Sequence, residues 1–338
     1  MLNLLATQHS GTILGPIAKV MGLIINAIFN LMDNMFDVQN IGLSIILFTI
    51  VIYTCMLPLT YKQQKFSKMS AKMNPEIKAI QKKYDGKKDQ ASMMAMQDET
   101  KEVYAKYGVS PSGSCVQLII QMPILFALYR VIANVPAYIT SVKNTFMPLV
   151  DKLLTMDGAV EYMTEIGTGL GVSKKLDFTA ANTFVDVLNK FQSNNWAELA
   201  AKYPELSELV LSTQTEVEHM NSFLGINIAN SPSTLIKSGS IALVIGAIAI
   251  PVLAAATQFL NTKLMPQAAA NDDGNDAMAQ SMKSMNTMMP LMSAFFCFTL
   301  PAGMGIYWIA GSVVRSIQQI AINKHIDKMD LDAMIATC

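Results

Sequence analysis

Charge is sorted along this 338-residue chain, and no other feature constrains its fold as strongly. Apolar or weakly polar blocks recur at lengths that cross roughly 30 Å of hydrocarbon as helix, and the stretches between them hold nearly all the Lys, Asp and Glu. A soluble core does not segregate its charges in this way. With 51% hydrophobic and 15% charged residues, the chain falls outside the usual soluble class. The formal net charge of zero conceals a regional asymmetry.

That asymmetry orients the chain. Residues 61–113 carry eleven lysines against six acids, whereas residues 139–236 carry six lysines against eleven acids. Lys and Arg near span ends mark the cytoplasmic side, so the first loop is expected inside, the second outside, and the N-terminus outside. Residues 1–12 contain no Lys or Arg, so a cleaved signal peptide is not expected. Met21, Ile24, Ile25, Ile28 and Met32 follow helical spacing, with Asn26, Asn30, Asp33 and Asp37 on the other face. This predicts an amphipathic helix in the membrane interface.

The expected fold is an all-α polytopic membrane protein with a five-helix transmembrane core. Its segments are an N-terminal extracellular segment with the interfacial helix (1–38), the first span (39–60, clearest from Ile41 to Leu59) and a cytoplasmic basic helical hairpin (61–113). A second span (114–137), an extracellular helical insertion (138–236), the third to fifth spans with a short cytoplasmic loop (237–322) and a cytoplasmic tail (323–338) complete it. Within the hairpin, Phe66, Met69, Met73, Ile77, Ile80 and Tyr84 form one apolar stripe, and Met93, Met96, Val103 and Tyr107 a second, across a turn at residues 85–89. Two packed amphipathic helices account for this pattern without a function. A functional reading adds Lys65, Lys68, Lys72, Lys82 and Lys83 as contacts for lipid headgroups, a ribosome or an incoming chain. The insertion shows helical patches at residues 184–188 and 196–211, with Gly167, Gly169, Gly171 and Pro204 as breakers.

Enzyme chemistry is not indicated. No phosphate-binding glycine loop, nucleophile elbow, HExxH or paired intramembrane carboxylate occurs, and no span carries an acid in its middle. Cys55, Cys115 and Cys297 lie in apolar blocks, and His9, His219 and His325 are far apart, so neither a metal nor another cofactor is expected. The spans hold uncharged polarity instead. Gln117 and Gln121 share a helix face, and Tyr53, Gln258 and Asn261 lie in other spans. Amides in hydrocarbon are costly without partners, so such residues either bond neighbouring helices or line a hydrated recess. Met265, Met278, Met282, Met285, Met288, Met289 and Met292 cluster around the last loop, as core filler or as a soft apolar surface for varied partners.

Four stretches together carry a resemblance. These are Leu57-Pro58-Leu59-Thr60-Tyr61-Lys62-Gln63, Asn74-Pro75-Glu76-Ile77, Gly113-Ser114-Cys115 leading to Leu118-Ile119-Ile120-Gln121-Met122-Pro123-Ile124, and Pro301-Ala302-Gly303 leading to Tyr307-Trp308. In order and placement they resemble the YidC/Oxa/Alb insertase family, in its short Gram-positive form, over most of the chain except about 145–222. The resemblance implies a bacterial plasma-membrane protein with a groove open to cytoplasm and lipid, and nascent membrane proteins as clients. It also implies work alone or beside the Sec translocon, contact with lipids and in some relatives with the ribosome, and no sequence-specific nucleic-acid binding. The family commonly places an arginine five residues before the proline of the Leu-Pro motif, where this chain has Tyr53. The groove is therefore expected to rest on Tyr53, Gln117, Gln121, Gln258 and Asn261, polar without strong positive charge, with Arg130 as a candidate compensating charge. Arg315, Lys324 and Lys328 near the C-terminus do not make a long basic extension. The alternatives are a non-transporting scaffold or regulator, and a small-solute transporter, against which the absence of inverted repeats and intramembrane acids counts.

Overall fold

The computed structural model describes residues 11–12, 14–87, 89–108, 113–172, 177–236, 240–264 and 277–328, with side chains undescribed at 113–120 and 277–287. The chain is mostly helical, and integral to the membrane by its apolar helices. In order it forms α1 (Leu14–Phe36), α2 (Ile41–Cys55), α3 (Leu57–Lys83), α4 (Gln90–Lys106) and α5 (Gly113–Ala133). There follow α6 (Thr140–Leu153), α7 (Ala159–Gly169), α8 (Ala181–Leu188), α9 (Ser193–Lys202) and α10 (Ser207–Asn221). A two-stranded antiparallel ribbon, β1 (Ser222–Phe223) and β2 (Ile226–Asn227), precedes α11 (Pro232–Leu235), α12 (Ile241–Leu264), α13 (Ala277–Thr299) and α14 (Ala302–Ile326). The ribbon departs from the all-α expectation. It turns on Leu224 and Gly225, both at positive φ, and a Leu-Gly pair lacks the Asn or Asp that signals such a turn in sequence.

By length and composition α1 and α12 can each cross a membrane, while α2 and α3, bent by 59° at their junction, meet the same criterion together. Gln121–Ala133 and Met288–Thr299 are shorter apolar stretches. The regular helix of the first span ends at Cys55, earlier than the expected Leu59, because Pro58 opens the next helix. A proline has no N–H for the preceding turn and fits best in the first turn of a new helix.

The chain divides into two compact units. The first comprises residues 1–48, 123–250 and 297–307. Phe146, Leu149 and Val150 of α6, Phe184 and Val187 of α8, Leu199 of α9 and Val210 of α10 are fully buried in it. Gly167 sits inside α7 and does not break it, since a Cβ there would lie 2.7 Å from Val187 Cγ2, and the missing side chain lets α7 approach α8. Pro204 does separate α9 from α10. The side chain of Lys143 is buried and donates to Asn182 Oδ1 at 2.8 Å, with its pKa pushed down by burial and partly restored by Asp186. On α1, Asn26 Oδ1 accepts from the Thr140 N–H and Asn30 Oδ1 from the Ser141 hydroxyl, both at 2.9 Å, while Val20, Leu23 and Leu31 are exposed. The polar face expected to meet headgroups thus packs on the start of α6, where Asn26 accepts a first-turn backbone N–H that has no partner within the helix and Asn30 accepts the Ser141 hydroxyl.

The second unit comprises residues 49–122, 251–296 and 308–338 and contains the α3–α4 hairpin. Met69, Met73, Val103 and Tyr107 are buried together, with Ile77, Ile80 and Tyr104 packed against them. Met93 is 49% exposed, so the expected stripe on α4 is used only toward its C-terminal end. Asp89 caps α4 by accepting from the Ser92 N–H at 2.9 Å. Glu76, of the Asn-Pro-Glu stretch, accepts from Lys106 at 2.8 Å and from the Tyr107 hydroxyl at 2.7 Å. Glu99 does the same for Lys83 at 2.5 Å and Tyr84 at 2.7 Å. These bonds hold both carboxyls below their ordinary pKa, the lysine bond contributing most in each case. A depressed carboxylate stabilises above its unfolded pKa of roughly 4.3 and ceases to as pH falls through its folded value. The hairpin is therefore expected to keep its protection from hydrogen exchange at neutral pH and to lose part of it in acid, after correction for intrinsic exchange. Protection unchanged across that range would show that the two clasps contribute nothing.

Candidate polar groove site

Within the second unit, α2, α12 and α14 bring a set of polar side chains together. Along α14, Ser312, Arg315, Ser316, Gln319 and Asn323 recur at helical spacing, and Ser312, Ser316 and Gln319 are buried. A neighbouring face carries Val313, Ile317 and Ile320, which are exposed. A helix with polar groups inward and aliphatic groups outward suits a lipid environment, where inward polar groups must find partners.

Arg315 is the centre of the set. Its Nη2 donates to Gln258 Oε1 and to Ser312 Oγ, each at 3.2 Å, its Nε donates to the Gly311 carbonyl at 3.2 Å, and Ser312 Oγ donates to the same Gln258 oxygen at 3.1 Å. The guanidinium carbon lies 5.4 Å from the centre of the Tyr53 ring, a cation–π arrangement that contributes roughly 0.5–2 kcal/mol depending on desolvation. Gly311 makes room for that ring, since a Cβ there would stand 2.9 Å from Tyr53 Cε2. The Tyr53 carbonyl, next to the break before Pro58, accepts from Gln318 Nε2 at 3.0 Å. One turn along, Asn261 Nδ2 donates to Gln319 Oε1 at 3.1 Å and reaches Ser316 Oγ at 3.4 Å. Every described partner of Arg315 is neutral, and among the described residues no carboxylate pairs with it.

Tyr53, Gln258 and Asn261 are thus brought together, each by partners on α14. Gln121 is half-buried on α5, and the side chain of Gln117 lies outside the described residues. Arg130 is exposed in the last turn of α5 and belongs to the first unit, so the charge in this cluster comes from Arg315 instead. The expectation of a cluster without strong charge is corrected accordingly. The periodic Ser312, Arg315, Ser316, Gln319 stripe was the signal in the sequence, and counting Arg315 with the tail concealed it. Among the hairpin lysines, Lys68 bonds Asp327 and the Asn323 carbonyl and Lys83 bonds Glu99, while Lys65 is half-buried and Lys72 and Lys82 are exposed. Lys68 therefore joins α3 to the end of α14, with Gln64 Nε2 reaching Asn323 Oδ1 at 3.4 Å beside it. Met288, Met289 and Met292 are exposed on α13, and the other four methionines of that cluster lie outside the described side chains.

The chain matches the family described as "60Kd inner membrane protein" over residues 31–195 and 199–329. It is similar to the membrane protein insertase YidC of Oceanobacillus iheyensis, with 25% identity over 286 residues, 85% of this chain and 75% of that relative. It is 42% identical over 99 residues to the membrane protein insertase MisCA of Bacillus subtilis, covering 29% of this chain and 38% of MisCA. A third relative, membrane protein insertase YidC 1 of Lactococcus lactis, is 45% identical over 94 residues, 28% of this chain and 35% of that protein. The latter two matches thus span little more than a third of each relative.

Proposed function

Because the chain belongs to the 60Kd inner membrane protein family, we infer that it is a membrane protein insertase, and we propose that it works through the Tyr53–Gln258–Arg315 cluster. One observation carries this reading: a half-buried guanidinium whose partners among the described residues are all neutral, on a helix that also carries an exposed aliphatic face. A structural arginine in such a place is expected to have a carboxylate partner. One without it can attract the acidic or polar tail of an incoming chain.

In this reading the cluster lines a cytoplasm-facing groove. A charge at the bilayer centre costs roughly 2.5–3.5 kcal/mol on insertion scales, and a polar recess bearing positive charge lowers that barrier for an acidic tail. The client's apolar segment then partitions at roughly −0.3 to −0.6 kcal/mol per Leu or Ile, which drives insertion without nucleotide hydrolysis. No bond is made or broken, so the protein accelerates a transfer and is not a chemical enzyme. The charge asymmetry supports an N-out, C-in topology in a bacterial plasma membrane, with α3–α4 cytoplasmic, residues 138–236 outside and α1 at the outer interface. Lys65 and Lys82 are candidate contacts for lipid headgroups or a ribosome, and the Sec translocon is a candidate partner.

The test is insertion of a single-span client with a short acidic N-terminal tail into proteoliposomes holding only this protein. Native protein is expected to speed protease-protected insertion, and Tyr53→Leu with Gln258→Leu to lose most of the gain. A double variant as fast as the native protein removes the cluster from the mechanism. If the native protein does no better than empty liposomes, the autonomous insertase reading fails and a scaffold role replaces it.

A further inference from the structure

The first unit contains a cavity of about 650 Å³ that the insertase reading does not use. Its size falls within the roughly 300–1,000 Å³ of ligand pockets. Its lining is rich in amides: Asn189 and Asn230 are half-buried and Asn194 is exposed, and none of their side chains hydrogen-bonds another described residue. The lining also includes the apolar Ile41, Ile132 and Leu235. Lys190 and Glu218 are the lining residues with formal charge, one of each sign.

This chemistry selects a ligand class. A carboxamide donates and accepts, as a peptide backbone does, so a row of them suits an extended chain whose N–H and C=O groups alternate. Alternate side chains of such a chain point to opposite sides, so one segment can meet both the polar and the apolar part of the lining. A phosphate or other anion would call for more positive charge than one lysine opposed by one glutamate. Of the lining aromatics that a sugar could stack on, Trp196 is 3% exposed and Tyr129 and Phe191 are half-buried, so a glycan is the competing ligand that the experiment below tests. Ile41 opens α2, Ile132 closes α5 and Pro301 precedes α14, so span ends form part of the lining.

We propose that this cavity binds an extended, uncharged polypeptide segment, the tail of a client that has just crossed the membrane. The inference rests on the insertase reading, which supplies the chain, and on the topology that places residues 138–236 outside. The cavity then holds an exported tail against slipping back while its span settles.

The experiment uses the full chain in proteoliposomes with a photoreactive amino acid at position 194 or 230, or at Glu208 on α10, which is exposed and outside the cavity lining. The probe is a single-span client with a short Ser/Asn/Thr-rich tail, and protease-protected insertion is read in the same samples. Adducts to the tail are expected from 194 and 230 and not from 208. In the protein labelled at 230, Asn194→Leu is expected to lower the yield about fivefold with insertion retained, the loss of roughly one neutral hydrogen bond. Insertion without adducts, or equal adducts from 208, overturns the cavity proposal and leaves the insertase reading standing. Displacement of the tail by added maltoheptaose overturns it in favour of a glycan site. Absence of insertion in every sample overturns the insertase reading and this inference with it.

Discussion

Arg315→Gln is expected to slow insertion of a client with an acidic tail roughly tenfold, equivalent to about 1.4 kcal/mol, and to leave a client with a neutral tail nearly unaffected. Glutamine keeps a donor for Gln258 Oε1 and Ser312 Oγ, which Arg315 now bonds at 3.2 Å, so the loss is mainly of charge. That is less than the roughly 2.5–3.5 kcal/mol of a charge at the bilayer centre, because in the proposed groove the cluster's amides and hydroxyls supply part of the solvation. Arg315→Lys should retain part of the rate, since lysine keeps the charge but not the planar fork that bonds Gly311, Ser312 and Gln258 together. The decisive variant moves the charge. Tyr53 lies against the guanidinium, so Tyr53→Arg combined with Arg315→Gln returns a cation to the same place from α2. Recovery of the acidic-tail rate would show that the position of the charge matters and not the helix that carries it. Equal slowing of acidic and neutral tails by Arg315→Gln would instead make Arg315 a packing residue.

Phe184→Ala is expected to destabilise the first unit by about 3–5 kcal/mol, the usual cost of removing a buried phenylalanine. Phe184 is fully buried on α8, and α8 packs on α6, where Phe146 and Leu149 are equally buried. The control is Leu211→Ala on α10, where the side chain is 56% exposed and the change should stay within about 0.5 kcal/mol. Hydrogen exchange of α6, α8 and α10 in liposomes reads both. A cost below about 1 kcal/mol for Phe184→Ala would mean that the core collapses readily around the gap. The same variant separates functions. If residues 138–236 only receive exported tails, insertion persists while cross-linking in the cavity disappears. If they are the working part of a scaffold, all activity is lost together.

The hairpin shows how far pattern alone reaches. Its α3 stripe was legible because Met69 and Met73 meet a partner helix along the spacing that sequence displays. Met93 on α4 has the same spacing and is nonetheless 49% exposed, since periodicity names a face without saying how much of it a neighbour covers. Nothing in the sequence pairs Glu76 and Glu99 with particular lysines, and their clasping of Lys106 and Lys83 depends on the register between α3 and α4.

By itself the sequence determined the helical class, the membrane as solvent and the family, because hydrophobic length, charge bias and ordered short motifs are one-dimensional properties. It also supplied Tyr53, Gln258 and Asn261, since any amide or phenol in an apolar block must be accounted for. Only the tertiary structure decided that Arg315 supplies the charge, that Asn26 and Asn30 turn toward α6, and that amides of the insertion line a cavity together with residues from span ends. The physical reason is the same in each case. A charge or an amide is defined energetically by the groups in contact with it, and residues 53, 258 and 315 come into contact only when three separate helices pack.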